Sequence, residues 1–175
     1  MRARLILTLA VAAAVMAAVV GGTAAAPGNG QGPKEDLVAG TGQSTFQSFF
    51  GPLAFFLHVD AHSGPAGEDP RGHFILRRSG GAPSLPQLDI HGDITCLNVV
   101  GNTAGMNGVI TKSETPSLPP GTQLYISIVD NGEGNKNPPD TFGLNTAIPL
   151  FACPPGSPAT VQPVEQGNYV VKDVT

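Results

Sequence analysis

The chain has 175 residues, nine Lys or Arg against thirteen Asp or Glu, and two cysteines. That length suits one domain once a leader is removed. The charge balance excludes a nucleic-acid-binding surface, because Arg77-Arg78 is the only adjacent pair of cations in the sequence.

The N-terminus, MRARLILTLAVAAAVMAAVVGGTAAAPGNG, has the plan of a secretory signal peptide. Arg2 and Arg4 form the positive region, Leu5 to Val20 the apolar region, and Gly21 to Ala26 the small-residue region. Cleavage is expected after Ala24 or Ala25. The apolar run of about 16 residues is short of the roughly 20 that a spanning helix needs, although a retained anchor is the alternative. The leader carries two of the nine basic residues and none of the acidic ones, so the mature chain has a formal charge of −6. No polybasic patch remains, and no membrane contact is expected after cleavage. Residues 26–36, with PGNGQGPK at their head, read as a flexible linker. A single all-β domain is expected over 37–175.

The elements that follow are strand-like runs set apart by glycine and proline, with no convincing helical period. A weak run covers Leu37 to Ser48. In LAFFLHVDAH, Leu53 to His62, alternation places Phe55, Leu57, Val59 and Ala61 on a core face. RGHFILRRS follows, with Phe74 and Leu76 sharing a face. LDIHGDITCLNVV, Leu88 to Val100, and AGMNGVIT, Ala104 to Thr111, are the next two strands. Lys112 to Gly121 is a polar, proline-rich loop. TQLYISIVD is the cleanest strand, with Leu124, Ile126 and Ile128 on one face. A strand begins at Thr141 and ends near Pro149, PPGSPATVQPVEQ is loop, and GNYVVKDV is the last strand. About eight short strands without a helix after the signal helix predict an antiparallel sandwich or a small closed barrel.

GHFILRR, DIHGDITCLNVVGNTAGMNGVIT, YISIVDNGEGNKNPPDTF and GNYVVKD, in that order, resemble a group of small exported bacterial proteins that carry a stand-alone β domain. They are also similar to the post-COAP-1 type domain of larger secreted and surface proteins. The likeness covers roughly Leu53 to Asp173. It implies export and an all-β fold, and it carries no established catalytic residues.

Cys96 and Cys153, an even count in an exported chain, predict one disulfide. Closing about 58 residues, it contributes on the order of 4 kcal/mol in the chain-entropy model. Two polar triplets have metal-ligand spacing on a strand: His58, Asp60, His62 and Asp89, His91, Asp93. If their strands paired, the side chains would converge; the simpler reading is a solvated strand face.

The acidic stretch DNGEGNKNPPD departs from an EF-hand, since positions 3 and 5 counted from Asp130 are Gly132 and Gly134. A non-EF calcium loop would use Asp130, Glu133, Asn135 and Asp140. The turn reading makes it a long hairpin connection that sets Ile128 and Phe142 on neighbouring strands. No G-x-S-x-G, H-E-x-x-H or phosphate-loop lysine motif is present. GNGQG lies in the linker, where no strand precedes it.

These features predict a secreted, non-enzymatic β domain that needs no cofactor and acts by binding or as a structural module. Its partner or ligand would be extracellular. One alternative is a small-ligand-binding barrel whose lumen is lined by Phe55, Leu57, Leu124 and Ile126. The other is an extracellular hydrolase using loop carboxylates such as Asp69, Glu133 and Asp140.

Overall fold

The structure, a computed structural model, describes residues 34–80, 85, 87–133, 137–146, 153 and 161–174. The expected signal peptide, most of the linker, and Asn135 lie outside these residues. The described part is all-β and forms one antiparallel nine-stranded sheet.

The strands are β1 (Asp36–Ser48), β2 (Gly51–Ser63), β3 (Arg71–Gly80), β4 (Leu88–Val100), β5 (Thr103–Ser113), β6 (Gln123–Val129), β7 (Thr141–Asn145), β8 (Val161–Pro163) and β9 (Gln166–Lys172). Their order is β8-β7-β6-β5-β4-β3-β2-β1-β9. One sheet replaces the two layers of a sandwich. Three strands, β1, β2 and β4, run 13 residues each; β4 has the expected bounds, whereas β1 starts one residue earlier and β2 extends beyond the expected run at both ends. β8 was not expected at all, because VQP lies in a proline-rich stretch without alternation.

Chain connectivity makes the sheet curl. β8 pairs with β7 and β9 pairs with β1, at opposite ends of the strand order. Only Val164 and Glu165 separate β8 from β9, a reach of about 10 Å. The two edges must therefore approach each other. Glu165 N–H donates to the Gln43 carbonyl at 2.7 Å and Val164 N–H to the Asp140 carbonyl at 2.8 Å. The Ser44 hydroxyl donates to the Pro163 carbonyl at 2.6 Å.

Inside the curl, strand alternation delivers the core. Leu57, Val59 and Ala61 of β2, and Phe74 and Leu76 of β3, are buried on the face read from the sequence. β4 needs a correction to simple alternation. A register shift between Ile94 and Cys96 makes Thr95 an extra residue opposite β5. The shift lets Ile90 and Ile94 face inward before it, and Leu97 and Val99 after it. It also turns Cys96 outward, where it forms the disulfide with Cys153, Cα to Cα 5.6 Å. On the same outer surface Tyr125, Ser127 and Asn107 are buried, and Asn98 Nδ2 donates to the Cys153 carbonyl at 3.3 Å.

Two large rings fill the interior only because glycines face them. Tyr169 is fully buried, and its hydroxyl donates to the Leu57 carbonyl at 2.8 Å. A Cβ on Gly42 of β1 would lie 2.6 Å from the Tyr169 ring. Phe74 lies in the same way against Gly92 of β4 and Gly108 of β5. Small strands opposite large rings are how a tightly curled sheet closes over its core.

Candidate functional site

Pairing order decides what the polar triplets can do. β3 lies between β2 and β4, so His58, Asp60 and His62 do not pair with Asp89, His91 and Asp93. Instead Asp60 pairs with His73 and His73 with Asp93, across three strands on the outer face. The result is a set of polar side-chain contacts on a partly exposed face, of which Arg77–Asp89 is an ion pair. His62 Nε2 is 3.1 Å from Asp60 Oδ1, Arg77 Nε is 3.2 Å from Asp89 Oδ1, and His91 Nε2 is 3.4 Å from the same Asp89 oxygen. At the edge, Arg71 pairs with Glu35 and, by its hydrogen bond, holds that carboxyl below its ordinary range, while burial works weakly the other way. Among the described residues no three His, Cys, Asp or Glu side chains are grouped to hold a metal ion.

The acidic loop has a different job. Ile128 pairs with Phe142, so residues 130–140 are a hairpin connection between β6 and β7. β7 starts only at Thr141, opposite Pro163, and beyond that point the outer edge of β9 has no strand beside it. Two carboxylates take the place of strand carbonyls there. Asp140 Oδ2 accepts from Tyr169 N–H at 2.8 Å and Asp130 Oδ2 accepts from Val171 N–H at 2.9 Å. Their second oxygens accept from the loop: Asp140 Oδ1 from Asn131 N–H at 2.9 Å and Asp130 Oδ1 from Gly132 N–H at 2.7 Å. Asn131 Nδ2 also donates to the Pro139 carbonyl at 2.7 Å. All four oxygens thus serve backbone donors. Glu133 is exposed, and its carbonyl accepts from Asn137 Nδ2 at 3.0 Å. Asp69, the third loop carboxylate, sits in the β2–β3 connection with φ of 50°.

The opposite end of the sheet holds an open apolar cavity of about 480 Å³. Its wall is built from inward positions near the strand ends: Phe46 of β1, Phe55 of β2, Leu76 of β3, Leu88 of β4, Leu124 of β6 and Leu144 of β7. The rings of Phe46 and Phe55 meet edge to face with centroids 5.1 Å apart. Leu118, in the β5–β6 connection, completes the wall. That connection is folded by the Leu118 N–H to Thr115 carbonyl bond, 3.0 Å, and by the Thr115 hydroxyl donating to the Gln87 carbonyl, 3.1 Å. Arg78, inward in the same series as Phe74 and Leu76, brings a cation to the rim beside Ser117 and Asn145. Among the described lining residues there is no carboxylate, histidine or thiol.

Of the four lumen residues expected from the sequence, Phe55 and Leu124 are on the cavity wall. Leu57 and Ile126 lie deeper, fully buried in the core. Thr115 and Leu118 were missed because their segment reads as a polar loop, and Leu118 within SLPP was the one apolar signal there.

The chain matches no family model, and comparison with curated proteins and with solved structures gives no significant match.

Proposed function

We propose that the chain is an exported, non-catalytic β domain that binds a small apolar molecule in the cavity at the open end of its sheet. The ligand class is a hydrocarbon-like body with an anionic or acceptor end directed at Arg78. One observation carries this reading: a cavity of about 480 Å³ with an aromatic and leucine wall and, among its described lining residues, one cation, Arg78, at the rim. Cavities of roughly 300–1,000 Å³ with few convergent polar groups are the usual form of small-molecule sites. The described lining residues include the hydroxyls of Thr115 and Ser117 but no histidine or carboxylate that could activate one, which favours binding over hydrolysis.

In this reading the curled sheet works as a closed barrel in which residues 161–172 serve both edges, and the cavity is its mouth. The disulfide is compatible with an oxidising, extracytoplasmic compartment, and the leader-like N-terminus and the resemblance to exported β domains support the same placement.

The test is titration of the purified chain with straight-chain carboxylic acids of increasing length, followed by calorimetry. The expected result is saturable binding with Kd near 10 μM at the best length, about −7 kcal/mol. Leu118→Arg should weaken it at least tenfold while leaving the melting temperature nearly unchanged. Arg78→Gln should reduce the preference for an acid over the matching alcohol. Absence of saturable binding up to about 1 mM would refute the reading.

A further inference from the structure

The β1–β2 hairpin ends in a two-residue tip, Phe49-Phe50, between Ser48 and Gly51, which pair with each other. The turn is set by its flanks. The Ser48 hydroxyl accepts from Phe50 N–H at 3.1 Å and donates to the Gly51 carbonyl at 2.7 Å. Gly51 supplies φ of 93°, which a side chain would resist. The two phenylalanines contribute nothing to this geometry. Phe49 is 97% exposed and Phe50 54%, their rings 5.6 Å apart in water. Hairpin tips are normally polar, glycine-rich positions, so two adjacent exposed rings call for an apolar surrounding.

We propose that this tip enters the surface of a lipid bilayer and docks the cavity end of the domain against it. Three observations select a membrane over a protein partner. The tip is a two-residue turn with both rings exposed, and insertion of two rings at a membrane interface needs no matched surface, whereas a protein interface needs about 800 Å² per partner. The stretch from Gln47 to Ala54 carries no charge. The charge pattern also faces the right way. At the tip end of the sheet Asp89, Glu114 and Glu165 are balanced by Arg77, Arg78 and Lys112. The other acidic residues lie along the strands or at the opposite end, around Asp130, Glu133 and Asp140, which anionic lipid would repel.

The tip is also close to the cavity. Phe46 on the wall pairs with Leu53, two residue pairs from the turn. An acyl chain could pass from bilayer to cavity without crossing water; that consequence rests on the binding reading above, whereas docking itself does not. Membrane contact here revises the expectation drawn from the missing polybasic patch: the attraction is apolar and local.

The chain contains no tryptophan, so one introduced residue is a site-specific reporter. Phe49→Trp in the full chain is mixed with phosphatidylcholine–phosphatidylglycerol vesicles, with and without brominated acyl chains. Its emission is expected to move to shorter wavelength and to be quenched by the bromolipid. Val100→Trp, at an exposed position at the opposite end, is expected to stay unquenched. Adding Phe50→Ser to Phe49→Trp should raise the lipid concentration at half-effect about tenfold. The proposal is overturned if Phe49→Trp is neither shifted nor quenched at saturating lipid, even where the chain sediments with vesicles through its leader. It is equally overturned if the emission shifts without lipid as protein concentration rises, because a second copy then covers the tip.

Discussion

Asp140→Asn should loosen the seam where β9 has no strand neighbour. Asp140 is 4% exposed and serves two backbone donors, Tyr169 N–H at 2.8 Å and Asn131 N–H at 2.9 Å. An asparagine of the same shape has one acceptor oxygen, and its amide N–H₂ must confront the other donor. One charge-assisted bond worth about 1.5–3 kcal/mol is lost, and the remaining one falls to the neutral value of about 1 kcal/mol. The expected destabilisation is about 3 kcal/mol, a large part of the roughly 5–15 kcal/mol that holds a domain folded. With a urea dependence near 2 kcal/mol per molar, the unfolding midpoint should fall by about 1.5 M. Amide exchange gives the local signature: the Tyr169 amide should exchange faster in the variant. Asp130→Asn acts on Val171 and Gly132 at a half-buried position and should cost less. Glu133→Gln should change nothing measurable. A wild-type midpoint for Asp140→Asn would refute the reasoning. So would calcium that stabilised the wild type but not this variant, because the pair would then be an ion site.

Gly92→Ala should destabilise by about 3 kcal/mol, since its Cβ would be forced into the Phe74 ring and within 2.6 Å of the Val109 carbonyl oxygen; a thermal melt unchanged within error would show that the ring is free to move. Asp36 is 1% exposed and accepts from Val174 N–H at 3.1 Å, and burial pushes its carboxyl above the ordinary value of 3.8. A folded pKa above the unfolded one means that its contribution is full below 3.8 and is lost as pH rises through the folded value. Asp36→Asn keeps the acceptor without the charge, so urea denaturation should find it more stable than wild type at about pH 7 and equal to it at about pH 3.

What the sequence made legible was local. Alternation in Leu53 to Ala61 named a core face, because a strand half in water writes its burial into every second residue; in Leu124 to Ile128 alternation named the inner face, although the outer side chains Tyr125 and Ser127 are buried as well. The disulfide was legible from compartment logic, and the β6–β7 hairpin from the turn-forming Asn131-Gly132 and the prolines between two strand-like runs. Pairing order was not, since nothing within β2 or β4 says that β3 lies between them; this is why two triplets with ligand-like spacing became one partly exposed polar face. The bulge at Thr95 was present as a switch from even to odd apolar positions between Ile94 and Leu97, and it decides which way Cys96 points. β8 left no trace, because three residues are too few to show a period. Tyr169 and Gly42 lie at opposite ends of the chain, and only the sheet's closure makes one require the other.

The position of the cavity follows from the same closure. Residues 161–172 join the two edges only over a limited span: β8 reaches Gly143 on β7, and β9 reaches Gln43 on β1. Past Gln43 the β1 edge is satisfied by a side chain, Glu165, whose carboxylate accepts from Thr45 N–H at 3.2 Å and from the Thr45 hydroxyl at 2.9 Å. On the other edge, Gly143 is the last β7 residue paired with β8 among the described residues. Phe46, Leu144 and Asn145, which line the cavity, lie past these last paired positions of the described closing segment. On the other side of that segment, Asp130 and Asp140 finish the ladder with carboxylates and leave no apolar opening. Stability is concentrated where the carboxylates sit and apolar surface is left where they do not, so opening at the mouth disturbs none of the four bonds these carboxylates make. Under the proposed binding reading, a ligand entering at the mouth would leave that carboxylate-held seam intact, and the seam itself comes from the late start of β7.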